Sequence, residues 1–104
     1  MTIKEKLDYI TEVSSERQVL LITIEELSEL IQALTKMTRQ LENDVTLRTD
    51  DDQIRHYLYE EIADAYVTLY QVKKKFNLIT TDIDEIFSNK IERTYKKLTQ
   101  NNQE

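Results

Sequence analysis

Residues 16–42 read ERQVLLITIEELSELIQALTKMTRQLE, and the spacing of their apolar side chains decides the fold class. Leu20, Ile24, Leu27, Ile31, Leu34 and Leu41 recur at steps of three, four or seven, which marks one face of a helix and not an alternating strand. The stripe predicts a helix from Glu16 to about residue 42, with these side chains turned into a core. Upstream, Thr2 caps a short helix carrying Ile3, Leu7, Ile10 and Val13, interrupted at Ser14 and Ser15. Downstream, residues 43–52 are rich in Asn, Asp and Thr and read as a connection, with Asp51 or Asp52 capping the next helix. That second long helix runs to about Phe76 and places Tyr59, Ile62, Ala63, Tyr66, Leu69 and Tyr70 on its main apolar face, and Asn77 ends it. Thr80 or Thr81 starts a last helix through Ile83, Ile86, Phe87, Ile91 and Leu98, and Thr99 to Glu104 is expected to fray.

Composition agrees with this pattern. The 104 residues suit one small domain spanning 1–104, and glycine and proline, which supply tight turns and abrupt breaks, are both absent. The expected class is all-α: a helical bundle of about four helices, its two long members antiparallel neighbours across a short connection, completed by oligomerisation. Without cysteine, disulfides, thiolate metal sites and a cysteine nucleophile are excluded, so any metal here sits on oxygen. A net charge of −6 argues against a protein that grips long nucleic acids, and an anionic substrate needs a cation to approach such a chain. The longest apolar run, Val19 to Ile24, is too short to span a membrane, and nothing at the N-terminus resembles a signal peptide; the expected location is cytoplasmic.

Two short acidic stretches carry the chemistry. Glu25-Glu26-Leu27-Ser28-Glu29 lies on the first long helix and Glu61-Ile62-Ala63-Asp64 on the second. Carboxylates three residues apart stand about 60° apart around a helix axis, so each pair can grip one hard cation. Two such pairs on facing helices suit Mg²⁺, with Mn²⁺ as a substitute, because Mg²⁺ takes oxygen ligands and keeps waters that a phosphate can displace. Glu25 or one of the ligands is a candidate to orient or deprotonate the attacking water.

EELSE (residues 25–29) followed by EIAD (61–64) resembles the EExxE and ExxD motifs of the all-α nucleoside triphosphate pyrophosphohydrolases of the MazG-like superfamily. The resemblance covers roughly residues 18–98. It implies Mg²⁺ ligation by Glu26, Glu29, Glu61 and Asp64. Asn89-Lys90-Ile91-Glu92-Arg93 is similar to a basic element on that family's last helix, which implies that Lys90 and Arg93 contact substrate phosphates. The implied activity is hydrolysis of an NTP or dNTP to the monophosphate and pyrophosphate, in a house-cleaning role toward non-standard or excess nucleotides.

Other residues have plainer readings. His56, the single histidine, is read as a surface residue, and Lys73, Lys74 and Lys75 as partners of a helix dipole. Tyr59, Tyr66 and Tyr70 fall at core spacing, and Gln18 is a candidate for a base pocket. The acids flank the apolar stripes, so a lone hairpin is expected to leave them open; Ala65, Val67 and Val72, off the main stripe, are expected to bury against a partner in a homodimer or homotetramer. The rival to an enzyme is a helical interaction or scaffold protein that keeps the acids as a charged face; a third reading is a degenerate family member that binds nucleotide without cleaving it.

Overall fold

The computed structural model describes residues 1–47 and 50–101. They form four helices and, among the described residues, no strand: α1 (Ile3–Val13), α2 (Glu16–Leu41), α3 (Asp51–Lys75) and α4 (Thr80–Asn101). The all-α class is as expected. Residues 102–104 of the anticipated frayed tail lie outside the described residues, while Thr99 to Asn101 continue α4.

The helix boundaries follow from local chemistry. Thr2 and Ser15 each accept from the backbone three residues on, while Glu5 and Gln18 bond back to the cap nitrogens, giving reciprocal caps for α1 and α2. The Gln18 side-chain oxygen is therefore engaged in the cap of α2. The cap of α3 is Asp50, one residue before the expected pair, and its Oδ1 accepts from the Gln53 N–H at 2.8 Å. In a chain without glycine, asparagine takes the left-handed position after both long helices, at Asn43 (φ 55°) and Asn77 (φ 52°). Each is closed by paired bonds from its own amide and the next: Asn43 to Gln40 and Asp44 to Arg39, then Asn77 to Lys74 and Leu78 to Lys73. Arg39 also binds the Asp44 carboxylate at 2.8 Å and donates to Thr46 Oγ1, which ties the connection to the end of α2.

The principal packing is α2 against α3, with α1 lying on α3. Lys36 sits on Tyr57, while Glu26 and Glu29 gather with Glu61 and Asp64; numbers rise on α2 as they fall on α3, so the hairpin is antiparallel. Tyr70 donates to Asp8, Lys74 pairs with the same carboxylate at 2.9 Å, and Lys75 donates to the Thr11 and Glu12 carbonyls at the end of α1. The lysine run thus docks α1 as well as meeting the dipole of α3.

The inner faces differ from those expected. Apart from Ile54, the hairpin interior is lined by small or polar side chains, Val19, Thr23 and Ala33 on α2 and Ala65 and Thr68 on α3, all buried. Leu20, Ile24, Ile31, Leu34 and Leu41, expected in the core, are exposed, and so are Tyr59 and Tyr66. On α2 the outward stripe lies about 100° around the axis from the inner one. Ala65 and Val72, assigned to a partner surface, turn instead toward the interior, Ala65 buried and Val72 half-buried, while Val67 stays exposed. Helix α4 packs along none of the other three. No helix among the described residues is long and apolar enough to cross a membrane.

Candidate metal centre

The hairpin interior brings together Glu26, Glu29, Glu61 and Asp64, with one carboxylate oxygen of each within 4.8 Å of those of the other three. The geometry follows from the helices. Glu26 shares the inner arc of α2 with Val19 and Ala33, and Glu29 stands one step toward the rim; Glu61 shares the inner arc of α3 with Ile54 and Ala65, and Asp64 is its counterpart at the rim. Burial runs accordingly, from Glu61, 5% exposed, through half-buried Glu26 and Glu29 to exposed Asp64. A lone hairpin leaves the acids open only in part: Glu61 is buried between α2 and α3, Glu26 and Glu29 are half-buried, and Asp64 is exposed at the mouth.

Hydrogen bonding separates these acids from the buried threonines. The hydroxyls of Thr11, Thr23 and Thr68 each donate to a carbonyl of their own helix. Glu26 Oε2 and Glu61 Oε2 are buried with no hydrogen-bond partner. Unsatisfied carboxylate oxygens are costly, and near one another they also repel. Burial first, then the charges of Glu29 and Asp64, raises Glu26 to about 6, and the same causes in the same order raise Glu61.

This donor set fits a hard divalent cation. Ligands on opposite sides of one Mg²⁺ stand about 4 Å apart, and a pair of such ions spans a similar distance, so side-chain shifts of about 1 Å convert the cluster into a first coordination shell. The two orphaned oxygens are the atoms such an ion would satisfy.

Other residues fall differently. Glu25 is exposed and stands outside the group. His56 is exposed and pairs with Glu60 at 2.9 Å, in keeping with a surface residue. Lys90 and Arg93 ride on α4, away from the packed hairpin, and among the described residues neither ion-pairs with the four acids. Sequence reasoning missed Lys36 and its pairing with Tyr57. The Lys36 ammonium lies 4.8 Å from the centre of the Tyr57 ring. Burial and the charges of Glu61 and Glu29 raise the Tyr57 phenol, which puts this pair at the edge of the acidic group. The spacing held the signal: Lys36 is two turns beyond Glu29 and Tyr57 one turn before Glu61, so both share the faces that carry the acids. No protein-family model, curated protein or solved structure matches the chain, so a functional reading rests on its residues.

Proposed function

We propose that the chain is a Mg²⁺-dependent nucleoside triphosphate pyrophosphohydrolase of the MazG-like kind, converting an NTP or dNTP to the monophosphate and pyrophosphate. One observation carries this reading: Glu26, Glu29, Glu61 and Asp64 converge inside the hairpin with one oxygen each of Glu26 and Glu61 buried and unpartnered. Four clustered carboxylates repel one another, and a divalent cation between them turns that repulsion into attraction. Mg²⁺, or Mn²⁺ in its place, would neutralise the phosphates and acidify the attacking water.

The chain's own residues supply the remainder. Glu26 and Glu61, fixed by burial, form the floor of the site; Asp64, exposed, offers its oxygen where a triphosphate arrives. Lys36, which rests on Tyr57 at the edge of the group, binds a phosphate oxygen in this reading, and the aromatic ring restricts where its ammonium goes. In this reading the proton of the attacking water passes to a carboxylate of the four and not to Glu25, which stands outside them.

Product identity tests the reaction class. Purified protein incubated with Mg²⁺ and a panel of NTPs and dNTPs is expected to yield monophosphate and pyrophosphate in equal amounts. Diphosphate with inorganic phosphate, or no turnover of any nucleotide, contradicts the proposal.

A further inference from the structure

Given the hydrolase reading, on which this rests, we propose that a nucleoside triphosphate lies along the mouth of the α2/α3 hairpin in one direction, its two terminal phosphates toward Lys36 and its nucleoside toward Ile22 and Gln71. The mouth is built from two rows of side chains. Positions seven apart on a helix fall within about 20° of one another, so Ile22, Glu29 and Lys36 line one edge of α2, and Tyr57, Asp64 and Gln71 line one edge of α3. The helices are antiparallel and Lys36 lies on Tyr57, so a step of seven back along α2 matches a step of seven forward along α3. Glu29 thereby comes level with Asp64, and Ile22 with Gln71. Three layers result, each about 10 Å of helix rise from the next, with the acids in the middle.

The outer layers differ in chemistry. At one end Lys36 holds its ammonium 4.8 Å from the centre of the Tyr57 ring, and none of the salt bridges among the described residues uses it. At the other end the cations are taken: Lys74 pairs with Asp8, and Lys75 donates to the Thr11 and Glu12 carbonyls. Those contacts, with the one from Tyr70 to Asp8, fasten α1 to α3 on either side of Gln71, so α1 borders this end of the mouth. What this layer offers is Ile22, 44% exposed, and Gln71, 8% exposed, whose amide none of the contacts holding α1 uses.

These ends suit the two ends of one substrate. Phosphate oxygens go to the free cation, the more so in a chain of net charge −6. A nucleoside is uncharged; its ring face is covered by an apolar side chain such as Ile22, and its edges donate and accept, which the Gln71 amide meets with a donor and an acceptor of its own. With the α-phosphate at the four acids, the water oxygen bonds to the α-phosphorus, the water proton passes to a carboxylate, and the bond from that phosphorus to its bridging oxygen breaks. Pyrophosphate leaves with the electron pair on the Lys36 side, where the ammonium offsets the charge it gains. In the reverse direction the terminal phosphates meet lysines already engaged, and Lys36 faces a group with no charge to answer its own.

Calorimetric titration of the full chain in Mg²⁺ with each product by itself tests the direction, using pyrophosphate and a panel of nucleoside monophosphates. Lys36→Gln is expected to weaken pyrophosphate binding about tenfold and to leave the best-bound monophosphate within about twofold. Ile22→Ala and Gln71→Met are expected to do the reverse, weakening the monophosphate about fivefold or more and leaving pyrophosphate within about twofold. Gln71 is buried, so circular dichroism accompanies its variant; should that variant lose helicity, Ile22→Ala, at an exposed position, carries the same expectation. The opposite pattern, equal effects on both products, or no binding of either product by a wild type that binds Mg²⁺ overturns the proposed direction. Triphosphate turnover by the wild type judges the hydrolase reading separately. Turnover with a contrary binding pattern leaves that reading standing and removes the direction, whereas the expected binding pattern without turnover removes the reading and keeps the direction.

Discussion

Glu26 on α2 and Glu61 on α3 each bury a carboxylate oxygen that no hydrogen-bond donor meets, and both belong to a group whose nearest oxygens all lie within 4.8 Å. A structure that satisfies its buried threonine hydroxyls locally leaves these two acids unsatisfied. The cation that would relieve them is the basis of the functional proposal, and its consequences are measurable.

The first is stabilisation by divalent metal. A ligand that binds the folded state alone at a hundred times its dissociation constant adds about 2.7 kcal/mol. Mg²⁺ or Mn²⁺ is therefore expected to raise the Tm by several degrees over the protein in chelator. Glu61→Gln and Asp64→Asn are expected to erase that increment while leaving the chelated Tm no lower, since each removes one of four mutually repelling charges. Differential scanning calorimetry with and without chelator reads both effects.

The second is an unusual pH profile. Glu26, raised from 4.5 to about 6, binds its proton more tightly in the folded chain than in the unfolded one, and burial pushes Glu61 in the same direction. Between those values the folded state holds the extra protons, so metal-free stability falls as pH rises through 6 and recovers on acidification toward 5. Asp44 acts in the opposite sense and far lower: Thr46 first and Arg39 next hold it at about 2, so its contribution is present above 3.8 and lost as pH falls through 2. Thermal melts in chelator at pH 5, 6 and 7 are expected to rank in that order, most stable first, and saturating Mg²⁺ to reverse the ranking. A metal-free protein most stable at pH 7 contradicts the assignment.

The third concerns how closely α2 and α3 approach. Ala33 has no exposed surface, and Ile54 is 1% exposed. Ala33→Leu overpacks the hairpin at a cost of about 1–3 kcal/mol and spreads the helices that bring the acids together. It is expected to weaken Mg²⁺ binding more than Ile54→Ala, which costs about 2–5 kcal/mol by leaving a cavity but does not push the helices apart. Denaturant melts and metal titration of both variants separate stability from affinity.

These outcomes also mark how far the sequence was legible. Helix positions were, because caps such as Thr2 and stops such as Asn77 act locally and leave local signals. The acid pairs were too, since a three-residue spacing on each helix states which side chains share a face. The inner face of α2 was not. Periodicity identifies its most apolar stripe, through Leu20, Ile24 and Ile31, but not what that stripe meets, whereas Val19, Thr23 and Ala33 go inside because small side chains let two helices close around carboxylates. Lys36 and Tyr57 were hidden for a related reason: each looks ordinary alone, and only the antiparallel register puts one on the other.

Lys36 yields a fourth expectation. If its ammonium binds a phosphate oxygen, Lys36→Gln lowers kcat/KM by about tenfold, near 1.4 kcal/mol of transition-state stabilisation, and leaves Mg²⁺ affinity within about twofold. Tyr57→Phe keeps the aromatic face and is expected to stay close to wild type. Steady-state kinetics with whichever nucleotide the wild type prefers tests both.

The most direct test of the metal-centre reading is pyrophosphate release by wild type and Glu61→Gln assayed side by side in Mg²⁺, with circular dichroism on both. The expected result is turnover by the wild type and a loss of about a thousandfold or more in a variant that keeps its helicity. Equal rates from the two proteins, or no pyrophosphate from the wild type, would contradict it.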